Sequence, residues 1–153
     1  MLAPTRREDG IPPNQIEYKT RRLVNDYLQP PKVTRKMELA QDRFAEVREA
    51  METSMVARDS HELMRSLEAQ SIIDCADMAA FASLFRTESR WGLYHNRTDY
   101  PDRDNENWFC HSILRKDDDG AMTCAKRPVS PYIIEIDDEE KDAYDRQRIQ
   151  AQA

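Results

Sequence analysis

Between residues 34 and 55, Met37, Ala40, Phe44, Val47, Met51 and Met55 recur every three or four positions, with Glu38, Asp42, Arg43, Glu46 and Glu49 between them. That spacing puts the apolar set on one side of a helix and the charges on the other. A helix is also expected before it, from the Pro12-Pro13 pair to about Leu28, because a missing N–H costs nothing at a helix start. Its apolar side is Ile16, Leu23, Val24, Tyr27 and Leu28, and Pro30 and Pro31 stop it. A third helix is expected over residues 61–86, with Ser60 as its N-cap and Glu62 in a first turn where the helix dipole favours a carboxylate.

The third helix differs from the other two. Leu63, Leu67, Ile72, Ile73, Met78, Phe81, Leu84 and Phe85, with Cys75 and alanines among them, make it apolar around most of its circumference. A helix of that kind must be surrounded. Two neighbours from so short a chain are few for the task, which points to protein beyond these residues. After Trp108 the period changes. Residues 109–115 and 121–127 read as strands joined by Lys-Asp-Asp-Asp-Gly, where Gly120 supplies the positive φ of a hairpin turn. Tyr132 to Ile136 reads as a third short strand. Residues 1–12 read as a flexible lead-in, and residues 137–153 as a charged tail or exposed helix. The expected fold is mainly α: a three-helix bundle, a long ordered loop, then a small β-hairpin or short sheet over the end of residues 13–136.

Composition narrows the function more than the fold. A chain of 153 residues is about one domain, and its 34% charged residues with a net charge of −6 describe a very polar surface. Nucleic acid is not the expected partner, since phosphate binding needs a basic face. No apolar run reaches the ~20 residues of a membrane helix, so no direct membrane insertion is expected. Three irregularly spaced cysteines fit a reducing compartment, and the expected location is cytoplasmic, at most attached to a membrane's inner face through partners.

Several chemistries find no residues to carry them. Gly10, Gly92 and Gly120 lie far apart, whereas a dinucleotide site or P-loop needs clustered glycines where a strand meets a helix. Cys110 and His111 are strand neighbours that point to opposite faces, so a metal site with Cys124 and His95 is not expected. Asp102, Asp104 and Glu106 imitate the opening of a calcium loop, but Asn107 and Ile113 stand where its glycine and closing acid belong. Nothing local orients a cysteine near His61, His95 or His111 into a nucleophilic pair. No catalytic, cofactor-binding or metal-binding residue is expected in the chain itself.

The segment Arg86 to His111, Arg-Thr-Glu-Ser-Arg-Trp-Gly-Leu-Tyr-His-Asn-Arg-Thr-Asp-Tyr-Pro-Asp-Arg-Asp-Asn-Glu-Asn-Trp-Phe-Cys-His, is specific where the rest is not. It resembles the C-terminal domain of the succinate dehydrogenase and fumarate reductase flavoprotein family. Arg86, Glu88, Ser89 and Arg90 match that family's opening after an Ala-rich helix. His95, Arg97, Asp99, Tyr100 and Pro101 match its middle, and Arg103, Asp104, Asn105, Asn107, Trp108 and His111 its approach to a strand. The helices before it and the strands ending in Lys-Arg-Pro-Val extend the likeness to about residues 15–136. Trp91-Gly92-Leu93 stands where the family has a small Gly-Ala, and with the ending Pro-Tyr-Ile-Ile-Glu-Ile it leans towards the adenylylsulfate-reductase-like branch.

The resemblance implies a helical domain that is not an enzyme alone. The family holds FAD and dicarboxylate in domains that precede this region, so FAD is expected in a parent or partner flavoprotein and not in this chain. The implied partners are that FAD domain and an iron–sulfur subunit. The alternative is a free-standing interaction module that keeps the fold without the enzyme. Arg86, Glu88, Arg90, His95, Arg97, Asp99, Tyr100, Arg103, Asp104 and Trp108 are then expected at an interface, where aromatic residues and arginine supply affinity and charge-assisted hydrogen bonds fix register. The same residues could instead satisfy one another inside the loop.

Overall fold

A computed structural model describes residues 3–92 and 94–129; the expected strand Tyr132 to Ile136 and the tail 137–153 lie outside the described residues. Three long helices lead: α1 (Pro13–Tyr27), α2 (Thr34–Ser54) and α3 (Ser60–Phe85). A single-turn helix α4 (Asn105–Trp108) and an antiparallel hairpin, β1 (Cys110–Lys116) and β2 (Met122–Pro128), follow. The chain is mainly α, as its periodicity requires.

The described chain divides into two units. The first contains residues up to Gln29 and Thr34–Leu84, hence all of α1, α2 and nearly all of α3. Pro13 opens α1 at its first position, and the Leu28 N–H closes it on the Val24 carbonyl. The α2 stripe Met37, Ala40, Phe44, Val47 and Met51 is buried as its spacing dictates, and Phe44 and Val47 lose all exposure. Ile16 and Leu28 of the first helical segment and Ala69, Ile73, Ala76 and Ala80 of α3 complete one core with them. Hydroxyls caught in this core are satisfied locally: Thr20 Oγ1 donates to Ile16 O at 2.9 Å and Ser66 Oγ to Glu62 O at 2.9 Å. At the margin, the Arg48 guanidinium of α2 bridges Asp74 and Asp77 of α3.

The lead-in is laid against the end of α2 from Ala3 onward. Residues Ala3–Arg6 form a 3-10 turn with Pro4 buried. Ile11 pairs with Met55 as an isolated parallel bridge, its N–H donating to Ser54 O at 2.8 Å and its carbonyl accepting from Val56 N at 3.1 Å. Glycine at position 10 makes this approach possible, since a Cβ there would stand 2.1 Å from the Ser54 carbonyl oxygen.

The α3 start corrects the expected cap. Asp59, not Ser60, fills the role: its Oδ1 accepts from Glu62 N at 2.7 Å, while Glu62 Oε2 accepts from Arg58 N at 2.7 Å. This is a reciprocal capping arrangement shifted one residue toward the N-terminus, with a carboxylate in place of the hydroxyl.

The second unit is built from two stretches of chain, Pro30–Val33 and the residues from Phe85 onward. It contains the long loop, α4 and the hairpin. In the hairpin, Ile113 faces Ala125 and Leu114 faces Cys124, and the turn closes through Asp117 and Gly120, whose φ is +82°.

Candidate functional site

Glu88 is the centre of the long loop. Its side chain is fully buried and receives the Arg86 guanidinium, Arg90 Nε at 2.6 Å and Arg90 Nη2 at 3.0 Å. The Asp104 backbone N–H adds a bond to Oε2 at 2.9 Å. One carboxylate thus holds two guanidiniums, which bind further in turn. Arg86 donates to the Trp108 carbonyl at 3.0 Å and the Cys110 carbonyl at 2.6 Å, tying the loop to the start of β1. Arg90 reaches Asn105 Oδ1 at 2.9 Å, on the first residue of α4. An Arg fork suits this work because its planar donors serve several acceptors at once.

A second pair lies beside the first. Arg97, 1% exposed, makes a two-pronged bond to Asp99, with both donor–acceptor distances 2.8 Å, and also donates to the Arg86 carbonyl at 3.1 Å. Its guanidinium sits 4.9 Å from the Tyr100 ring centre. Ser89 knots the two halves together: its hydroxyl donates to Tyr100 O at 2.8 Å and accepts from Arg97 N at 2.8 Å. Lys32, from the stretch between α1 and α2, is built into the same unit through its backbone. Its N–H donates to Asn96 O at 2.7 Å, and its carbonyl accepts from Thr98 N at 2.9 Å. Burial first, then the Arg97 charge, pulls the Lys32 ammonium below its usual range.

His95 is buried and donates from Nε2 to the Arg86 carbonyl at 3.2 Å. Burial is the main reason its pKa falls to about 4; the bond to Arg86 O opposes the fall, and the charges of Lys32, Arg86 and Arg97 add to it. The imidazole is therefore neutral at pH 7 and acts as a donor within the loop. The linkage has a definite sign. Between pH 6.5 and about 4 the unfolded chain takes up a proton that the folded chain refuses, so stability falls as pH drops through that window and levels off below it. Urea unfolding measured across this range should show that loss in the native chain and a shallower one in His95→Gln. Equal slopes would remove His95 from the account.

Trp108 closes the floor. It is 6% exposed, meets Phe85 edge-on with ring centres 5.3 Å apart, and carries Lys126 Nζ 3.6 Å from its ring centre. Asp104 caps α4, accepting from Asn107 N and Nδ2 at 2.9 Å each, and those two bonds are what lower its carboxyl pKa.

The ten residues expected at an interface thus fall into two groups. Arg86, Glu88, Arg90, His95, Arg97 and Trp108 are buried and bond to one another or to nearby carbonyls. Tyr100 is 42% exposed, Asp99 lies at the surface, and Arg103 and Asp104 are half-buried. The aromatic exposure of the loop is at Trp91, with a positive φ of 59°, and at Tyr94, 59% and 65% exposed respectively. Sequence reasoning did not place Lys32, Asn105 or Lys126 at the site, although Asn105 stands in the motif. Asn105 was findable, because Asp104 and Asn107 frame it as the first turn of a capped helix. No local signal marked the other two.

These residues do not fit a resident flavin. Gly10 serves the lead-in, Gly92 a loop turn and Gly120 the hairpin, so none forms a phosphate cradle at a helix start. Nor is there an activated thiol at Cys124, whose pKa is raised, by burial above all.

Comparison with known proteins gives this geometry a context. Residues 18–143 match the family described as fumarate reductase flavoprotein C-term. Over 69 residues the chain is 33% identical to the succinate dehydrogenase flavoprotein subunit of Rickettsia conorii and 35% identical to the fumarate reductase flavoprotein subunit of Mycobacterium tuberculosis. Each alignment takes in 45% of this chain but only 11% and 12% of those proteins. Among solved structures, adenylylsulfate reductase from Archaeoglobus fulgidus superposes with a TM-score of 0.78 at 28% identity, covering 84% of this chain and 21% of that one. A variant of the E. coli quinol fumarate reductase shares the fold, with a TM-score of 0.75 at 19% identity over 86% of this chain and 23% of that one.

Proposed function

Because the chain belongs to the family of fumarate reductase flavoprotein C-terminal domains, we propose that it serves as the helical C-terminal domain of a flavin-dependent oxidoreductase, packing on the FAD domain and helping to present it to an electron-transfer partner. The observation that carries this reading is the self-contained network around Glu88. The family's motif residues hold the loop's shape and leave Trp91, Tyr94 and Tyr100 outward, as aromatic side chains for a neighbouring protein.

In this reading the domain supplies surface and no chemistry. FAD, substrate and the groups that move hydride and protons reside in the flavoprotein's other domains, and an iron–sulfur subunit is the partner that takes or delivers electrons. The charge network makes the loop rigid before binding, which lowers the ordering cost at an interface.

The test is recovery from source cells. The tagged chain should bring down a protein with an FAD domain together with an iron–sulfur protein, both identified by mass spectrometry. Recovery of unrelated proteins, or of the chain alone, would contradict the reading and leave an interaction module that has kept the fold without the enzyme.

A further inference from the structure

Helix α3 has two apolar faces, and the described residues cover one of them. Ala69, Ile73, Ala76 and Ala80 belong to the core. On the outer side Met64, Leu67 and Met78 remain 49%, 45% and 41% exposed, and Ser71, Cys75 and Ala79 are exposed among them. Helix α2 shows the contrast within the same chain. Eight of the ten exposed positions of α2 are charged: Arg35, Lys36, Glu38, Asp42, Arg43, Glu46, Glu49 and Glu52. From Met64 to Ala79 the only charged residue among the exposed positions of α3 is Glu68. In a chain that is 34% charged, about 22 Å of this helix carries a single fully exposed charge, while Arg65 and Asp74 at its margins are half-buried and paired, Arg65 with Glu17 and Glu68 and Asp74 with Arg48. A surface of that length with three exposed large apolar side chains and so little unpaired charge, on an otherwise polar protein, belongs against something.

We propose that this outer face of α3 is the seat of the flavin-binding portion of the oxidoreductase. The proposal rests on the family reading above and adds the place. The occupant follows from length: the adenylylsulfate reductase and fumarate reductase chains devote 21% and 23% of themselves to the region matched here. More than three quarters of each such polypeptide is therefore available to cover a domain like this one. The occupant's surface must be largely apolar, because Glu68 already accepts from Arg65 at 3.1 Å.

Cys75 makes the face readable in the native protein, because it is an exposed free thiol in the middle of it. The tagged chain is purified from source cells with its flavoprotein, identified by mass spectrometry and by flavin absorbance. N-ethylmaleimide should then alkylate Cys75 at least about tenfold more slowly in the complex than in the free chain. A second measurement uses Leu67→Glu/Met78→Glu, whose positions are open in the free chain, so circular dichroism and melting should be unchanged while flavoprotein recovery falls at least about tenfold. If the native chain recovers the flavoprotein but Cys75 stays equally reactive, the seat is elsewhere and the family reading stands. If the native chain recovers no flavoprotein, the proposed role in an oxidoreductase fails and the seat with it. If the native chain is a dimer, the double variant a monomer, and flavoprotein recovery equal for both, a second copy occupies the face and the proposal is overturned.

Discussion

Replacing Glu88 with alanine should destabilise the second unit by about 3–5 kcal/mol, the largest effect expected of any polar substitution in the chain. The loss comes from what is left behind. Both the Arg86 and the Arg90 guanidinium touch the Glu88 carboxylate, and all three side chains are buried. A buried ion pair contributes little net stability when compared with a well-packed apolar pair, because taking charges out of water offsets their attraction. Removing one partner is different, since the desolvation of the other two remains without compensation. The Asp104 N–H loses its acceptor as well. Urea unfolding followed by Trp108 emission, in a Trp91→Phe background that silences the exposed indole, would report the loss. Glu88→Gln keeps the shape and an acceptor oxygen, and should lie between the alanine variant and the native chain. A midpoint within experimental error of native for Glu88→Ala would mean that the network is ornamental.

Trp108→Ala should cost a similar ~3–5 kcal/mol, for an apolar reason. The indole is 6% exposed and stands edge-on to Phe85, with the Arg86 guanidinium 5.3 Å from its ring centre and Lys126 at 3.6 Å. Alanine would leave a cavity beneath two cations. Had Trp108 been an anchor for another protein, melting would stay put and only binding would fall, and its burial decides between these outcomes. Thermal denaturation of Trp108→Ala and Trp108→Phe separates ring loss from ring trimming, and the phenylalanine variant should retain part of the stability. The Glu88 and Trp108 effects share Arg86, which contacts both residues. The double variant should therefore lose less than the sum of the singles.

Much of the fold was legible because helix periodicity is a local property. The α2 stripe and the Pro13 and Pro30 boundaries survive unchanged, since apolar spacing and the missing proline N–H act within a few residues of chain. Boundaries moved where side-chain capping decided them. Asp59 took the α3 cap from Ser60, and Asp104 nucleated the unexpected turn α4. The strands begin and end one residue later than expected, at Cys110–Lys116 and Met122–Pro128, because α4 claims Trp108 and Phe109 closes it. The site was harder to read. Which residues cluster could be taken from the motif, but whether their charges turn outward or inward could not. That outcome depends on Glu88 meeting two arginines at once and on the Trp108 and Cys110 carbonyls accepting from one of them, contacts separated by up to 24 residues. Lys32 could not be found at all, because it is joined through backbone bonds to Asn96 and Thr98, more than sixty residues away in sequence.

The stretch Pro30–Val33 bears on how such a domain can be divided. Both helices that flank it belong to the first unit, while its own amide and carbonyl are matched to Asn96 and Thr98 in the second. The polypeptide therefore crosses the boundary three times, and no single cut yields two whole pieces. Ending the chain after Leu84 would strip Lys32 of both backbone partners, and starting it at Phe85 would deprive Asn96 and Thr98 of theirs. The two units are not interchangeable cassettes: recombination that preserves either must carry the other along, and grafts of the long loop onto another helical scaffold will need the four residues that precede α2 in sequence.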